Sequence, residues 1–552
     1  MIQVAFAGHN RPQDLGEHGP VSEALTHAFR LLKAAGAPPA RLLTGLASGA
    51  DELAVAAWRA EAMGPIHAVF PFLEDPDGEE ARAGELADSV TWLDGAALAA
   101  EGRNPHLKQT RVIVEAADLV VVVWTGGPAR GAGGTADAVS CALEIGLPVL
   151  WIRPSEPHPL RLIRPDALPL DFHFPEFQEA LEAGRLDHLE LATVENLRDV
   201  LNLDAVSQPL PAKAISAWQA ALDRWLHATL WKTYGNFRKL VGGRIRGSPP
   251  TPPPPSLAAE PGFQVLTEAY LASDQVANRL SAIHRSEQIL LVLAMIAAAV
   301  VGSAWAVWPH LKMPMVALEL AISTAAVLLW AAGSDAGQHE RWSEQRYLAE
   351  QLRLERAGWT LGISIAPIIP AASRRQSEAW LSARRTAGLP NVRFDADRVK
   401  AWGAWAMDEL VTGQSAYHHA TSDRDGRIAH RIHFLEDAGF MFLFVSFAAF
   451  LSFFGLSHAH PPGWIAGSIA MIGTVVPAVA AATMALEAKL EFQEQSARSR
   501  RIASVLDELA ARLGPAPSLD ALQNAARAAV RLHMAEASNW REGSSRRRLF
   551  RP

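Results

Sequence analysis

Leu119–Ile152 reads LVVVVWTGGPARGAGGTADAVSCALEIGLPVLWI, and this stretch decides the fold of the N-terminal part of the chain. It begins with an apolar run typical of a buried strand, continues into a glycine-rich turn, and ends in a second apolar run. Between the turn and the second run, the residues from Thr135 onwards are predicted to form a helix. A strand, a glycine turn and a helix in succession form the cradle in which α/β sheets bind phosphate groups.

Three further apolar runs precede this stretch, and segments with helical spacing alternate with them. The predicted strands are Ile2–Ala7, Arg41–Thr44 and Ile66–Pro71. Strands that alternate with helices predict a parallel sheet with helices on both faces, so the fold class is α/β and Rossmann-like. Ligands of such sheets bind beyond the carboxyl ends of the strands, where the strand order changes direction.

Glycine turns follow the first, second and fourth predicted strands, and they therefore meet at one edge of the sheet. Glycine lets backbone amides approach an anion closely, and the start of a helix favours negative charge. Thr135 is expected to cap its helix, and Asp51 to cap another helix or bind a ribose hydroxyl. The candidate ligand-binding residues are Gly8, His9, Arg11, Gly45, Ser48, Gly49, Ala50, Asp51, Trp124, Gly126, Gly127, Arg130, Gly131, Gly133, Gly134, Thr135 and Asp137. The alternative is that these glycines only form tight turns.

The composition limits the classes of function. The chain has 552 residues, too many for a single ordinary core, and its formal net charge of −7 argues against a dedicated nucleic-acid binder. The single cysteine, Cys141, excludes an intramolecular disulfide and a cysteine-rich metal site. The N-terminal residues lead directly into a strand without a signal-peptide pattern, so the first domain is expected in the cytosol.

Four apolar segments in the C-terminal half are long enough to span a bilayer. They cover about residues 289–308, 315–332, 439–456 and 464–486, and short turns join them into two hairpins. The alternative is a large soluble bundle with buried apolar helices. Arginines cluster outside the hairpin turns, for example at Arg384, Arg385, Arg498 and Arg501. By the positive-inside rule both termini are expected in the cytosol.

The two hairpins resemble each other, because a polar helix precedes each one and a long charged helix follows it, which suggests duplication. The proline-rich stretch Gly247–Ser256 is expected to act as a semi-rigid spacer. The predicted domains are a ligand-sensing sheet (1–155), a helical cap or adaptor (156–246), a linker (247–262), a first hairpin domain (263–400) and a second one with a basic tail (401–552).

Three motifs give the chain a resemblance to a known superfamily. Residues 8–11, 45–51 and 124–137 resemble the SLOG superfamily, which includes lonely-guy phosphoribohydrolases, DprA-type DNA-processing proteins and the sensor domain of melastatin TRP channels. The C-terminal half resembles SLATT domains, which are membrane helix hairpins with helical flanks. The resemblance implies a bacterial anti-phage effector in the inner membrane that binds a nucleotide or nucleotide derivative, forms homo-oligomers and permeabilises the lipid bilayer.

An enzymatic alternative is N-glycosidic hydrolysis of a nucleotide. Phosphoribohydrolases of this superfamily carry a glutamate three residues after the threonine of the glycine motif, whereas Ala138 stands here and Asp137 is the nearest carboxylate. The group best able to move a proton is then missing, so we favour a sensor. No catalytic residue, metal site or required cofactor is predicted, and no nucleic acid is expected as a partner.

A few residues have weaker functional interpretations. Glu319, within the second span, either lines a pore or faces a partner helix, or else it remains wet near the interface. His458 and His460 in the second hairpin turn lack a third metal ligand and are expected to be solvated. The tryptophan stripe within 218–231 is expected to be core or a docking face.

Overall fold

The computed structural model describes residues 1–9, 11–15, 17–37, 39–74, 78–129, 131–168, 172–183, 189–203, 232–242, 251–335, 338–366, 378–456 and 460–546. Strands and helices alternate in its N-terminal part. The strands are β1 (Ile2–Gly8), β2 (Ala40–Thr44), β3 (Ile66–Phe70), β4 (Ser89–Trp92), β5 (Leu119–Val123), β6 (Val149–Arg153), β7 (Glu156–Ile163) and β8 (Glu190–Leu191). The helices are α1 (Pro12–Leu15), α2 (His18–Ala34), α3 (Ala50–Ala60), α4 (Glu79–Leu86), α5 (Gly95–Ala100), α6 (Pro105–Ala116), α7 (Thr135–Glu144), α8 (Phe174–Glu182) and α9 (Val194–Val200).

The strands form one sheet in the order β4-β3-β2-β1-β5-β6-β7-β8. β1 to β6 pair in parallel, and every residue of β3 and β5 is buried, as expected for a sheet covered on both faces. From β1 the chain adds strands towards β4 and then crosses to β5 on the other side. The predicted Rossmann-like class is confirmed, and the strand order changes direction between β1 and β5.

The sheet continues beyond residue 155, where the predicted sensor domain ends. β7 runs antiparallel to β6, and β8 pairs only with Arg161 and Leu162. Pro157 and Pro159 argue against a strand in the sequence, because proline cannot donate to a β-ladder. Both prolines lie in the part of β7 that β8 does not reach, where a missing donor is tolerated. The segment predicted as an adaptor therefore begins as part of the sheet.

The C-terminal part is helical. Its helices are α10 (Thr233–Phe237, followed by a π-helical turn at Arg238–Gly242), α11 (Pro255–Ala258), α12 (Pro261–Ala304), α13 (Lys312–Asp335), α14 (Gln338–Trp359), α15 (Glu378–Ala387), α16 (Ala396–Met407), α17 (Gly413–Phe450), α18 (Gly463–Leu490), α19 (Phe492–Arg512) and α20 (Leu519–Arg546).

Four helices in the described part of the chain, α12, α13, α17 and α18, contain segments long and apolar enough to cross a membrane. The apolar segments of α13 and α17 are 0% buried, and those of α12 and α18 are 22% and 17% buried. A soluble bundle would bury such faces, so their exposure favours the bilayer over the bundle. The predicted all-α region with four apolar helices in two hairpins is confirmed.

The two hairpins have matching architectures. α12 is a single helix of about 66 Å, given 44 residues and a rise of about 1.5 Å per residue, and it packs along α14 just as α17 packs along α19. Glu319 of α13 lies against Gly302 of α12, where an added Cβ would meet the carboxylate at 2.4 Å. Glu319 thus faces the partner helix of its own hairpin. In the second turn His460 is exposed, and His458 lies outside the described residues.

A buried ion pair joins the sheet to the helical part. The side chains of Arg384 in α15 and Asp118 before β5 are 5% and 6% exposed, and Arg384 Nη1 donates to Asp118 Oδ1 at 2.9 Å. Arg384 Nη2 also donates to the carbonyl oxygens of Ala116 and Ala117 at 2.7 and 2.9 Å. Burial alone would raise the pKa of Asp118, but Arg385 and Arg384 hold it below its ordinary value.

Residues 390–394 cover the outer edge of β4. The backbone N–H of Trp92 donates to Val392 O, and that of Phe394 donates to Trp92 O, both at 2.9 Å. The guanidinium of Arg393 lies 4.4 Å from the indole centre of Trp92. Uncovered edge strands recruit other chains, so this segment protects β4 while it holds the helical part on the sheet.

Part of the predicted linker packs onto the helical part. Leu257 of α11 is fully buried. The indole N–H groups of Trp402 and Trp405 donate to Ser256 Oγ and Thr251 O, both at 3.1 Å. Residues 251–258 are therefore fixed, which corrects the expectation of a semi-rigid spacer there. Residues 247–250 and the tryptophan stripe within 218–231 lie outside the described residues.

Replacing Arg384 tests the junction between the sheet and the helices. Arg384→Met leaves a buried carboxylate short of a partner, so we expect the free energy of unfolding to fall by about 3–5 kcal/mol. Thermal melting of the detergent-solubilised protein measures the loss. Arg512→Met is the control, because its ion pair with Glu508 is exposed and contributes at most about 1 kcal/mol. Equal melting of the two variants would contradict the assignment.

His67 of β3 is buried between two hydroxyl groups. Thr91 Oγ1 donates to Pro390 O at 2.5 Å and therefore accepts from His67 Nε2 at 2.8 Å. Ser89 Oγ is left to donate to His67 Nδ1 at 2.7 Å. Burial lowers the pKa of His67 from 6.5 to about 3, so the imidazole stays neutral in the folded protein.

This neutral histidine predicts a loss of stability in acid. The unfolded residue takes up a proton as the pH falls below 6.5, whereas the folded residue does not until about pH 3. We expect stability that is present above pH 6.5 to be lost through this window, by up to about 1.4 kcal/mol per pH unit. The melting temperature, measured at several pH values, should therefore fall more steeply with decreasing pH for the wild type than for His67→Gln, which cannot titrate. Parallel pH profiles would rule this out.

Candidate ligand-binding cleft

A cleft of about 360 Å³ opens at the carboxyl ends of β1, β2 and β5. It lies where the strand order changes direction, which is the usual ligand position in open α/β sheets. The turns after these three strands form its walls together with one face of α6. Its volume is within the range of small-molecule sites, about 300–1,000 Å³.

Ten of the predicted ligand-binding residues line this cleft: Gly8, His9, Arg11, Gly45, Asp51, Trp124, Gly131, Gly133, Gly134 and Thr135. Six others belong to the same turns or to the first turn of the helix that follows, but do not line it: Ser48, Gly49, Ala50, Gly126, Gly127 and Asp137. Arg130 lies outside the described residues. The three turns meet as predicted, because parallel pairing brings the carboxyl ends of the strands to one edge.

The glycine turn after β5 is held rigidly. Gly133 has a φ of +87°, and an added Cβ would lie 2.5 Å from the backbone carbon of His106 at the start of α6. Its N–H donates to Asp137 Oδ2 at 2.7 Å, and its carbonyl accepts from Thr110 Oγ1 at 2.8 Å. Asp137 therefore stabilises the turn, and its carboxylate is already engaged. Gly131 differs, since nothing lies within 4 Å of an added Cβ.

Two helices begin at the cleft without a side-chain cap. α3 follows Gly49 and α7 follows Gly134, and a glycine has no side chain that could accept from the first amides of the helix. The expectation that Thr135 caps α7 is therefore wrong: Thr135 is the first helical residue, and its side chain is buried. By contrast, Asn104 Oδ1 caps α6 by accepting from two backbone amides. In α3 the backbone N–H of Ala50 already donates to His9 O at 3.1 Å, so the first amides of α7 are the ones best placed for an anion.

Asp51 joins α3 to the end of β2. Its Oδ2 accepts from Thr44 Oγ1 at 2.7 Å and from Ala47 N at 3.3 Å. Burial raises the pKa of Asp51 to about 7, and the bonds from Thr44 and Ala47 oppose that rise only in part. Because Asp51 also lines the cleft, a carboxyl group that is partly protonated near neutral pH borders any bound ligand.

Two aromatic residues, Trp124 and His9, shape the cleft by holding its turns in place. Trp124 is fully buried, its indole N–H donates to Gly127 O at 2.8 Å, and its ring stacks on Phe174. Nε2 of His9 accepts the backbone N–H of Thr125 at 3.0 Å, which ties the turn after β1 to the turn after β5. Both residues therefore position the turns, and the charged side chain of Arg11 is exposed at the rim.

α6 contributes a wall that the sequence motifs did not predict. His106, Gln109 and Thr110 line the cleft, and Gln109 Nε2 donates to Val69 O at 2.6 Å. An amphipathic helix before a strand carries no phosphate-binding signature. The polar residues near the start of α6 are the only feature from which its role as a cleft wall could have been predicted, since they lie on the face that meets the glycine turn.

A pair of glycine substitutions separates rigidity from ligand access. We expect Gly133→Ala to destabilise the sheet domain by about 1–3 kcal/mol, because alanine is strained at positive φ and its Cβ meets backbone atoms. Gly131→Ala has open space and should leave thermal melting unchanged. If a phosphate approaches the backbone here, Gly131→Ala nevertheless weakens nucleotide binding measured by calorimetry. Equal melting of both variants would contradict the close contact at Gly133.

No family model, curated protein or solved structure matches this chain. The likeness to SLOG and SLATT domains therefore remains a prediction from the sequence motifs.

Proposed function

We propose that the protein is a membrane-anchored sensor that binds a nucleotide or nucleotide derivative in the cleft and responds through its four apolar helices. In this proposal the sheet is SLOG-like, and the hairpins are SLATT-like. Ligand binding changes the packing of protomers in a homo-oligomer, and the hairpins then permeabilise a bacterial inner membrane during anti-phage defence.

The cleft supports a phosphorylated ligand. The start of α7 lies at the cleft without a side-chain cap, Gly131 leaves space for close approach, and Arg11 provides positive charge at the rim. These are the features that bind the phosphates of nucleotides in other α/β sheets.

The observation that carries the proposal is the double role of α6. On one side, Thr110 and the backbone at His106 contact the glycine turn at Gly133. On the other side, Lys108 Nζ lies 2.7 Å from Asp520 Oδ1, and Glu115 pairs with Arg527 at 2.7 Å, both partners belonging to α20. A ligand that shifts the glycine turn therefore acts on a helix that is ion-paired with the membrane-attached part.

The arrangement of the helices supports a response in the membrane. The sheet packs against α15 and α20, which are connected in the chain to the ends of the hairpins that lie away from the hairpin turns. The sheet and these ends therefore lie on one side of the four apolar helices. We assign that side to the cytosol, in line with the basic residues outside the hairpin turns. The spans lack the row of polar residues that a transporter would need, which favours a lesion formed by several copies.

Arg11→Ala tests the sensor directly. Loss of a charge-assisted hydrogen bond to phosphate should weaken nucleotide binding by about tenfold or more in calorimetry with the solubilised full-length protein. Arg30→Ala is the matched control, because Arg30 is an exposed arginine of the same domain that pairs with Glu61 on the helical face. If both variants bind the nucleotide as the wild type does, the cleft is not the phosphate site.

The response is tested in liposomes. Protein reconstituted with a trapped dye should release the dye when a nucleotide pool from phage-infected cells is added, and Arg11→Ala should reduce the release. If no nucleotide pool causes leakage of dye or ions, the effector part of the proposal fails, while the binding part stands on its own measurement.

An enzymatic alternative now rests on Asp51 rather than Asp137. Asp51 lines the cleft with a pKa raised by burial to about 7, which suits general acid–base catalysis, whereas Asp137 is engaged by Gly133 N. Release of free base from nucleoside monophosphates, abolished in Asp51→Asn but retained in Asp137→Asn, would favour hydrolysis over sensing. Asp51→Asn keeps an oxygen acceptor for Thr44, so its fold can be checked by melting.

A further inference from the structure

A second cavity, of about 660 Å³, lies in the helical layer away from the sheet cleft. Residues of α10, α12 and α14 line one part of it, and residues of α17, α19 and α20 line the rest. The first hairpin unit (residues 263–400) and the second (residues 401–552) therefore both contribute to its wall. Arg285 on this wall precedes Ile289, the start of the first predicted span, by about one helical turn. The cavity thus lies close to the end of the first apolar segment.

The cavity is strongly basic. Seven lysine and arginine side chains line it, against three glutamates. Two of these arginines have carboxylate partners, Arg346 with Asp274 and Arg424 with Asp425. Arg238, Arg285 and Arg498 have no carboxylate within 4.0 Å among the described residues. Like charges held this close repel one another unless an anion lies between them.

Two of the three glutamates, Glu350 and Glu536, do little to neutralise this charge. Glu350 forms a two-fold hydrogen bond with Arg353, which does not line the cavity. Burial would raise the pKa of Glu350, but Arg353 holds it at about 2, so its charge is used in that pair. Burial raises the pKa of Glu536 to about 7, with Glu350 adding to the rise, so Glu536 carries only part of a negative charge near neutral pH. The cavity is therefore positive even when Glu491 is counted as a full negative charge, because seven lysine and arginine side chains line it.

Aromatic rings hold two of the arginines in place. The Arg285 guanidinium lies 5.0 Å from the ring centre of Tyr234 and 5.2 Å from that of Trp342, and its Nη1 donates to the Tyr234 hydroxyl at 2.8 Å. Arg238 lies 5.2 Å from the same Tyr234 ring. Stacked guanidinium groups keep their N–H edges free, and these edges match the oxygens of a phosphate.

Two buried polar atoms of the wall lack partners. His418 is 6% exposed and Thr421 is 2% exposed, and both line the cavity. Nδ1 of His418 and Oγ1 of Thr421 have no hydrogen-bond partner within the described part of the chain. Buried polar groups are nearly always satisfied, so these two atoms are available to hydrogen-bond with a molecule that enters the cavity.

A metal ion is a less suitable occupant. His418, His533 and Glu536 place possible ligand atoms within 4.8 Å of one another. The imidazole of His533 is neutral, because burial lowers its pKa to about 4, and its Nε2 donates to Leu410 O at 2.9 Å, which leaves Nδ1 for a ligand. A divalent cation would nevertheless add to the unpaired positive charge of the surrounding arginines, whereas an anion reduces it.

We infer that this cavity is a second ligand site, which takes a phosphorylated small molecule and binds its phosphate through Arg238, Arg285 and Arg498. The volume suits a nucleotide or the headgroup of an anionic phospholipid, and the shared chemistry is the phosphate. Because Arg285 belongs to the first hairpin unit and Arg498 to the second, the bound phosphate links the two units. This inference is independent of the ligand in the sheet cleft.

The test uses the full-length protein and two sources of phosphate. Inorganic pyrophosphate and ATP are titrated in detergent by calorimetry. Separately, the protein is melted in nanodiscs of phosphatidylcholine with and without phosphatidylglycerol. We expect Arg498→Gln to weaken pyrophosphate or ATP binding by about tenfold, or to lose the increase in melting temperature that phosphatidylglycerol causes. The first result identifies a soluble ligand and the second a lipid headgroup, and either one supports the site.

Arg512→Gln is the matched control, because Arg512 is an exposed arginine of the same helix, α19. Arg11→Ala separates the two sites, since it affects the sheet cleft alone. The inference is overturned if Arg498→Gln behaves like Arg512→Gln in both experiments, or if phosphate binding is lost only in Arg11→Ala. It is also overturned if Zn²⁺ alone raises the melting temperature of the wild type but not of His533→Gln while no phosphate compound binds.

Discussion

A buried carboxylate stays charged only where cations and hydrogen-bond donors surround it, and Asp118 obtains these from separate parts of the chain. The backbone N–H of Gln3 in β1 donates to it at 2.9 Å, and Arg384 and Arg385 of α15 donate from the helical part at 2.9 and 3.0 Å. The side-chain Nε2 of Gln3 donates to Arg385 O at 2.7 Å. The central strands of the sheet and the first hairpin unit are thereby fixed to each other, and the rest of the interface is built on this arrangement.

α6 extends the same interface towards the cleft. Its first turns contact the glycine turn at Gly133, and its outer face forms ion pairs with α20. Apolar side chains of α6, of the sheet and of the helical part, such as Val112, Trp124, Trp402 and Leu522, belong to one continuous core. A cleft at the edge of a sheet and helices that enter a membrane are thus coupled through packed side chains, which have little freedom to move independently.

Much of the fold follows from local sequence. The buried strands, the glycine turns between them and the four apolar segments each have a period and composition that predict one structure, and the turns meet because parallel strands share an edge. Local sequence failed where a neighbour in space decided the outcome. Pro157 and Pro159 concealed β7, and Thr135 was expected to cap α7 although Gly134 holds that position. The sequence motif also gave no sign that Asp137, a predicted ligand-binding residue, accepts a hydrogen bond from Gly133 N.

Local sequence was enough to predict the α/β class, the sheet edge at which the glycine turns meet and the two apolar hairpins, because these depend on residues close together in the chain. Tertiary structure alone decided what the charged residues do. Arg384 reads as a basic residue near a membrane, but it pairs with Asp118, 266 residues away. Arg285 and Arg498 likewise belong to different hairpin units, and only folding brings them to one cavity. A charge has no preferred partner until burial removes water, so its role depends on the groups that the fold places beside it.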